Sequence, residues 1–195
     1  MRNKKLSGAI AVGALVASAS VMAAVSDGTV VSNTCSGCHG TNGASVGATP
    51  NIGGLPEAYL ASTMAAYKDG TRFATVMNRV ARGYDQGQLL DTAKFFAAKP
   101  WVPSSSTGNA KLTERGKQVH GASGCAGCHG ANGVALVPTF PRIAGQAADY
   151  LRFQMRDYKD AGKPIPPAAT PMRGMLAAVS DEDIEALAAF YAGSR

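Results

Sequence analysis

The four cysteines of this 195-residue chain fall into two pairs with one pattern. Cys35-Ser36-Gly37-Cys38-His39 and Cys125-Ala126-Gly127-Cys128-His129 each set two cysteines three positions apart, with a histidine directly after the second. That order reads as a site of covalent haem attachment. On a tight turn each thiol can form a thioether to one vinyl group of a single porphyrin, while His39 or His129 reaches the iron from the proximal side. Cys35, Cys38, Cys125 and Cys128 would then carry two haem c groups, and no cysteine is left for a disulfide or a nucleophile.

Three other chemistries use paired cysteines. Zinc needs four ligands, whereas each motif supplies three and has no second cysteine pair or H-x₃₋₅-H nearby. A thioredoxin-like dithiol needs a βαβ context that the pattern lacks. Short-range disulfides leave the histidine after both pairs unexplained.

An iron held by one histidine keeps a sixth position, and methionine is the candidate. Beyond the N-terminal leader the methionines are Met64, Met77, Met155, Met172 and Met175. Aligning the last helix of each half puts Met77 and Met172 in register, eight residues before the respective N-caps Asp85 and Ser180, on a loop after a middle helix. A thioether there favours ferrous iron and raises the potential, which suits electron transfer. Met175 is the rival in the second half, where the first half has Val80. Met64 and Met155 lie on an apolar helical stripe and read as core.

The elements that must position these groups repeat. Pro50-Asn51-Ile52-Gly53-Gly54 matches Pro141-Arg142-Ile143-Ala144-Gly145, Tyr59-Leu60 matches Tyr150-Leu151, and Tyr67-Lys68-Asp69 matches Tyr158-Lys159-Asp160. The chain therefore reads as a tandem duplication. Leu60, Met64 and Tyr67, like Leu151, Met155 and Tyr158, recur at helical spacing, with Gly70 and Gly162 as stop signals. Final helices follow Asp85 and Ser180, and a short helix precedes each cysteine motif, most clearly Thr113 to His120. No alternating strand pattern competes, so the fold class is all-α. Lys99-Pro100-Trp101-Val102-Pro103-Ser104-Ser105-Ser106 reads as an extended linker, with domains over 24–104 and 105–195.

Arg2, Lys4 and Lys5 precede an apolar run from Leu6 to about Val21, and Val21-Met22-Ala23 suits cleavage of a secretory signal near Ala23. That run of roughly sixteen Ala- and Ser-rich residues is short for a membrane span of about twenty. Residues 1–23 are thus expected to leave a periplasmic protein without stable membrane insertion. Losing their three basic side chains reduces the net charge from +6 to +3, and haem propionates would lower it further. The basic balance is therefore no sign of a nucleic-acid partner.

Secondary roles can be assigned more loosely. Pro50 and Pro141 could offer their carbonyls to the second ring nitrogen of His39 and His129, or only shape turns. His120 reads as a packing residue. Arg72, Arg79, Arg82, Arg142 and Arg173 could pair with propionates, although solvated surface suits most of them.

Both halves resemble class I cytochrome c domains, and the pair resembles the dihaem cytochromes of the c-four type. Thr75-Val76-Met77-Asn78-Arg79-Val80-Ala81-Arg82-Gly83-Tyr84, with Ala98-Lys99-Pro100-Trp101, further resembles the cytochrome subunit of flavocytochrome c sulfide dehydrogenase. That resemblance implies a flavoprotein partner that carries FAD, oxidises sulfide and passes electrons to the haems. Asp85-Gln86-Gly87-Gln88 departs from the acidic Ser-Asp-Glu start often seen in both families, and Ser180-Asp181-Glu182-Asp183 keeps it. A free shuttle towards a terminal oxidase is the alternative. A dihaem enzyme, such as a peroxidase or a thiosulfate dehydrogenase, would need an open iron position or a special ligand, whereas both halves offer a methionine.

The paired motif predicts an intact mass that exceeds the mature polypeptide by two haems, and Cys35→Ala with Cys38→Ala should remove one of them. A single haem in the unmutated protein would contradict the duplication.

Overall fold

A computed structural model describes residues 28–105 and 109–195. The expected signal segment, residues 1–23, lies outside them. Among the described residues the regular structure is helical throughout. In the first half α1 (Thr29–His39) carries the cysteine motif, followed by a 3₁₀ turn (Thr41–Gly43), α2 (Glu57–Asp69), α3 (Met77–Arg82) and α4 (Gln86–Ala97). The second half has α5 (Ala110–Ala122), the one-turn α6 (Ala126–His129) that carries the second motif, α7 (Ala148–Lys159), a 3₁₀ turn (Pro167–Ala169), α8 (Thr170–Leu176) and α9 (Asp181–Gly193).

Local chemistry sets the helix ends. Asp85 and Gln88 form a reciprocal capping box at the start of α4, and the Ser180 hydroxyl accepts from the Asp183 N–H at the start of α9. Gly70 ends α2 in the left-handed region (φ 78°), where a Cβ would be strained. Gly162 does not do the same for α7: that helix stops at Lys159 with Asp160 extended, and the Asp160 carboxylate accepts from the Gly162 N–H instead.

The duplication is visible bond by bond. The Gly43 carbonyl accepts from Ile52 and Gly53, and the Gly133 carbonyl accepts from Ile143 and Ala144. Gly54 N–H donates to the Phe96 carbonyl at 2.9 Å, and Gly145 N–H donates to the Tyr191 carbonyl at 2.7 Å. Each half thus ties its Pro-to-Gly loop to its own last helix. The second half also builds the larger core, in which Val119, Leu151, Met155, Leu176, Val179, Ile184, Leu187 and Phe190 cluster. The first half buries only Leu55, Leu60, Ala93 and Phe96 in its cluster, with Cys35, Tyr59 and Trp101 against them.

The halves meet across extended residues 99–105. Asn51 N–H donates to the Gln146 side-chain oxygen (2.8 Å), and the Gln146 amide donates back to the Asn51 carbonyl (2.9 Å). Trp101 leaves the first half and lies under the Arg142 guanidinium, 5.4 Å from its ring centroid, while Phe73 N–H donates to the Pro164 carbonyl (2.9 Å).

Helices α5 and α9 cross so closely that a Cβ at Gly116 would overlap the Ala186 carbonyl and sit 2.7 Å from Phe190 Cβ. Gly121, on the same helix, has nothing within 4 Å. Gly116→Ala should therefore cost about 1–3 kcal/mol of stability, read by chemical denaturation of the haem-loaded protein followed by helical circular dichroism. Gly121→Ala should be neutral or stabilising. Equal losses at the two positions would contradict the tight crossing.

Candidate haem sites

In both halves the cysteine motif sits where a helix ends and the chain turns. Cys35 and Cys125 are half-buried, Cys38 and Cys128 are exposed, and all four are free thiols. Burial pushes the Cys35 and Cys125 thiols up. The next residue turns inward in each case: His39 and His129 are both buried.

His39 Nδ1 meets the Pro50 carbonyl at 2.9 Å. Donation from Nδ1 would leave Nε2, which has no protein partner among the described residues, as the nitrogen able to bind iron. In the second half the corresponding contact is weaker. Pro141 still favours a proton on His129, but His129 Nδ1 is buried without an acceptor in hydrogen-bond geometry. Burial lowers the pKa of both histidines, partly opposed by the proline carbonyls, a shift towards the neutral form that a metal ligand requires.

Met77 and Met172 are both half-buried. Each lies on a short helix, α3 or α8, rather than on the expected loop, because the residue after it ties that segment to the preceding helix. Asn78 donates to the carbonyls of Tyr67 (2.9 Å) and Arg72 (2.8 Å) and accepts from Ala74 N–H (2.7 Å). Arg173 donates to the carbonyls of Tyr158 (3.0 Å), Asp160 (2.9 Å) and Lys163 (2.6 Å). Tyr67 and Tyr158 are repeat-equivalent, so different side chains hold Met77 and Met172 by the same anchor. This common anchor supports their alignment and turns Arg173 from a propionate candidate into a loop tether.

The competing methionines lack it. Met155 is buried in the core, and Met175 is 42% exposed, with its methyl 3.4 Å from a Cβ built at Gly124. His120 is buried, with Nδ1 at 2.9 Å from the Tyr191 hydroxyl and Phe190 beside it, which is the expected packing role. Arg79 and Arg82 are exposed, and Arg142 lies on Trp101. Two features had escaped the sequence reading: the Asn51–Gln146 clamp and the burial of Arg72. The clamp's only signal was a pair of repeat mismatches, Arg142 opposite Asn51 and Leu55 opposite Gln146.

These residues fit a covalent haem in each half. Two thiols precede an inward histidine whose outer nitrogen is unpartnered, and a tethered methionine follows in the same half. Haem c would supply a one-electron Fe(III)/Fe(II) couple, and the chain would supply attachment, axial donors and exclusion of water. Fold and sites together define an all-helical dihaem electron-transfer protein.

The comparisons with known proteins agree with that class. The cytochrome c family model matches residues 25–92 and 113–192, and the chain belongs to the cytochrome c family. It is 28% identical to the thiosulfate dehydrogenase electron acceptor of Thiomonas intermedia, over 81% of this chain and 77% of that protein. Over 71 residues it is 38% identical to the cytochrome subunit of sulfide dehydrogenase of Chlorobaculum tepidum, covering 36% of this chain and 64% of that one. The structure of cytochrome c4 from Pseudomonas stutzeri superposes with a TM-score of 0.76 at 27% identity, over 86% of this chain and 97% of that one. The similarity to a cytochrome of the c-four type thus spans most of this chain and both halves, and the similarity to the sulfide dehydrogenase subunit is partial.

Met77→His or Met172→His should each abolish part of the weak far-red methionine-to-iron band. Each should also lower the potential of the affected haem by at least tenfold in the one-electron equilibrium, about 59 mV. The same loss in Met64→Leu or Met155→Leu would overturn the ligand assignment.

Proposed function

We propose that this cytochrome is the electron-accepting haem subunit of a sulfide-oxidising flavocytochrome, with axial pairs His39/Met77 and His129/Met172. The observation that carries the reading is the stretch Thr75 to Tyr84 with Ala98 to Trp101, which resembles the cytochrome subunit of that enzyme; the 38% identity to the Chlorobaculum sulfide dehydrogenase subunit supports it. FAD would reside on the partner, where sulfide is oxidised, and electrons would pass one at a time to the haems. The chain is then a non-catalytic subunit.

The export reading accompanies it. Residues 1–23 act as a cleaved signal, the haem domains span 24–104 and 105–195, and the mature protein works in the periplasm. No described helix is long and apolar enough to cross a membrane. A second reading, a free carrier, is favoured by the likeness to cytochrome c4 and to the thiosulfate dehydrogenase electron acceptor, which covers more than four-fifths of this chain.

Within the first reading, the stretch from Thr75 to Tyr84, α3 with the residues on either side of it, forms the docking face. Val76 and Val80 are exposed there, and Tyr84 hydrogen-bonds Thr34 on α1 at 3.0 Å. Trp101 contributes less to such a face, because it already packs between the halves. Co-expression with a candidate FAD-binding sulfide dehydrogenase subunit should give a stable complex in which sulfide reduces both haems, and Tyr84→Asp should weaken that complex at least tenfold. A cytochrome that stays monomeric with that flavoprotein and takes no electrons from sulfide through it is a free shuttle.

A further inference from the structure

Arg72 is the only arginine, lysine, aspartate or glutamate among the buried described residues, at 3% exposure. Its surroundings are symmetric. One terminal nitrogen reaches Thr63 Oγ1 (3.2 Å) and Tyr59 Oη (3.5 Å) on α2, and the other reaches Gln154 Oε1 (2.8 Å) and Tyr150 Oη (3.5 Å) on α7. The guanidinium also lies over the Tyr67 ring at 5.2 Å and over the Tyr158 ring at 5.7 Å. Tyr59 and Tyr150, Thr63 and Gln154, and Tyr67 and Tyr158 are repeat-equivalent pairs. The same patch of each half therefore closes on one cation, as at an isologous contact.

That cation has no counter-charge. Among the described residues Arg72 makes no ion pair, and its facing groups are tyrosines, Thr63 and Gln154. Asp157, which acts on both Tyr67 and Tyr158, is bound to Lys163 at 2.5 Å. The Arg72 Nε–H is buried and makes no hydrogen bond. A charge taken out of water and left unpaired is strongly unfavourable, and a planar guanidinium with a free N–H is well suited to a carboxylate.

We propose that Arg72 is a shared anion site at the junction, the counter-charge for haem propionates from both halves, and that it raises both haem potentials together. The inference rests on the dihaem assignment, because haem c brings the carboxylates that the chain lacks here. The geometry supports sharing rather than ownership by one half. Met77 and Met172 are anchored on the carbonyls of Tyr67 and Tyr158, the two residues whose rings face the guanidinium. A positive charge that paired with propionates of both haems would favour the reduced, more negative state of each iron. The sequence alone could not distinguish Arg72 from four other candidate arginines, since its role depends on the second half closing over it.

The test is a spectroelectrochemical titration of the haem-loaded protein, with haem content measured first. Arg72→Gln and Arg72→Met remove the charge. In either variant that retains two haems and the methionine-to-iron band, both midpoints should fall by at least threefold in the one-electron equilibrium, about 28 mV at 59 mV per tenfold. Arg72→Lys should stay within that limit at both haems. Unchanged potentials, or a fall at one haem only, would overturn the shared site. Should neither charge-free variant hold two haems while Arg72→Lys does, a cation is required for assembly, as proposed; loss in Arg72→Lys as well would make the role one of shape and overturn it. An unmutated protein with fewer than two haems would instead refute the dihaem assignment.

Discussion

A half-chain of some eighty to ninety residues is too small to bury a generous core unaided, and much of this structure answers that shortage. The first half shows it most plainly, since only Leu55, Leu60, Ala93 and Phe96 form its buried cluster, with Cys35 of the first motif against them. A covalently held porphyrin would supply the missing apolar mass at a fixed place, with the two thiols of each motif and the histidine after them as the residues that would hold it. Both halves tether their Pro-to-Gly loop to the last helix through the same carbonyl position, Phe96 or Tyr191, and in the first half this loop presents the Pro50 oxygen to His39. Core, loop and ligand are one construction.

The junction between the halves solves the same shortage by different means. It buries polar side chains beside aromatic ones: Asn51, Gln146 and Arg72 are all buried there, with Trp101 and the Tyr67 and Tyr158 rings close by. Polar groups that are fully paired make a junction specific rather than merely adhesive, and the reciprocal Asn51–Gln146 bonds meet that condition. Asn51 directly follows Pro50, so the clamp between the halves is one residue from the carbonyl that orients His39. The second half's loop receives the Ser104 N–H (2.7 Å) and the Asn51 side-chain amide (3.5 Å) on its Gly145 carbonyl, yet His129 lacks a well-placed acceptor. A duplicated sequence has thus produced unequal surroundings for His39 and His129.

Much of this was legible in the residues. Period and spacing identified the helices, the capping residues Asp85 and Ser180 located the last helix of each half, and the cysteine motifs specified the chemistry. Alignment of those last helices picked out Met77 and Met172, and the structure adds the reason they coincide, a tether on Tyr67 or Tyr158 from Asn78 or Arg173. That tether was illegible because unlike side chains perform it. The sequence also suggested loops where α3 and α8 form, since six- and seven-residue helices have too few turns to show a period. Arg72 and the Asn51–Gln146 clamp depend on contacts across about 80–95 positions, which no local pattern encodes.

Electron transfer without independent catalysis requires that both irons be closed to exogenous ligands, and electron paramagnetic resonance of the fully oxidised protein reads this most directly. Two low-spin ferric signals of equal integrated intensity, one per haem, are expected from histidine–methionine ligation in each half. A high-spin ferric signal integrating to one iron per chain would reveal an open position, contradict the electron-carrier assignment for that half, and point to a dihaem enzyme.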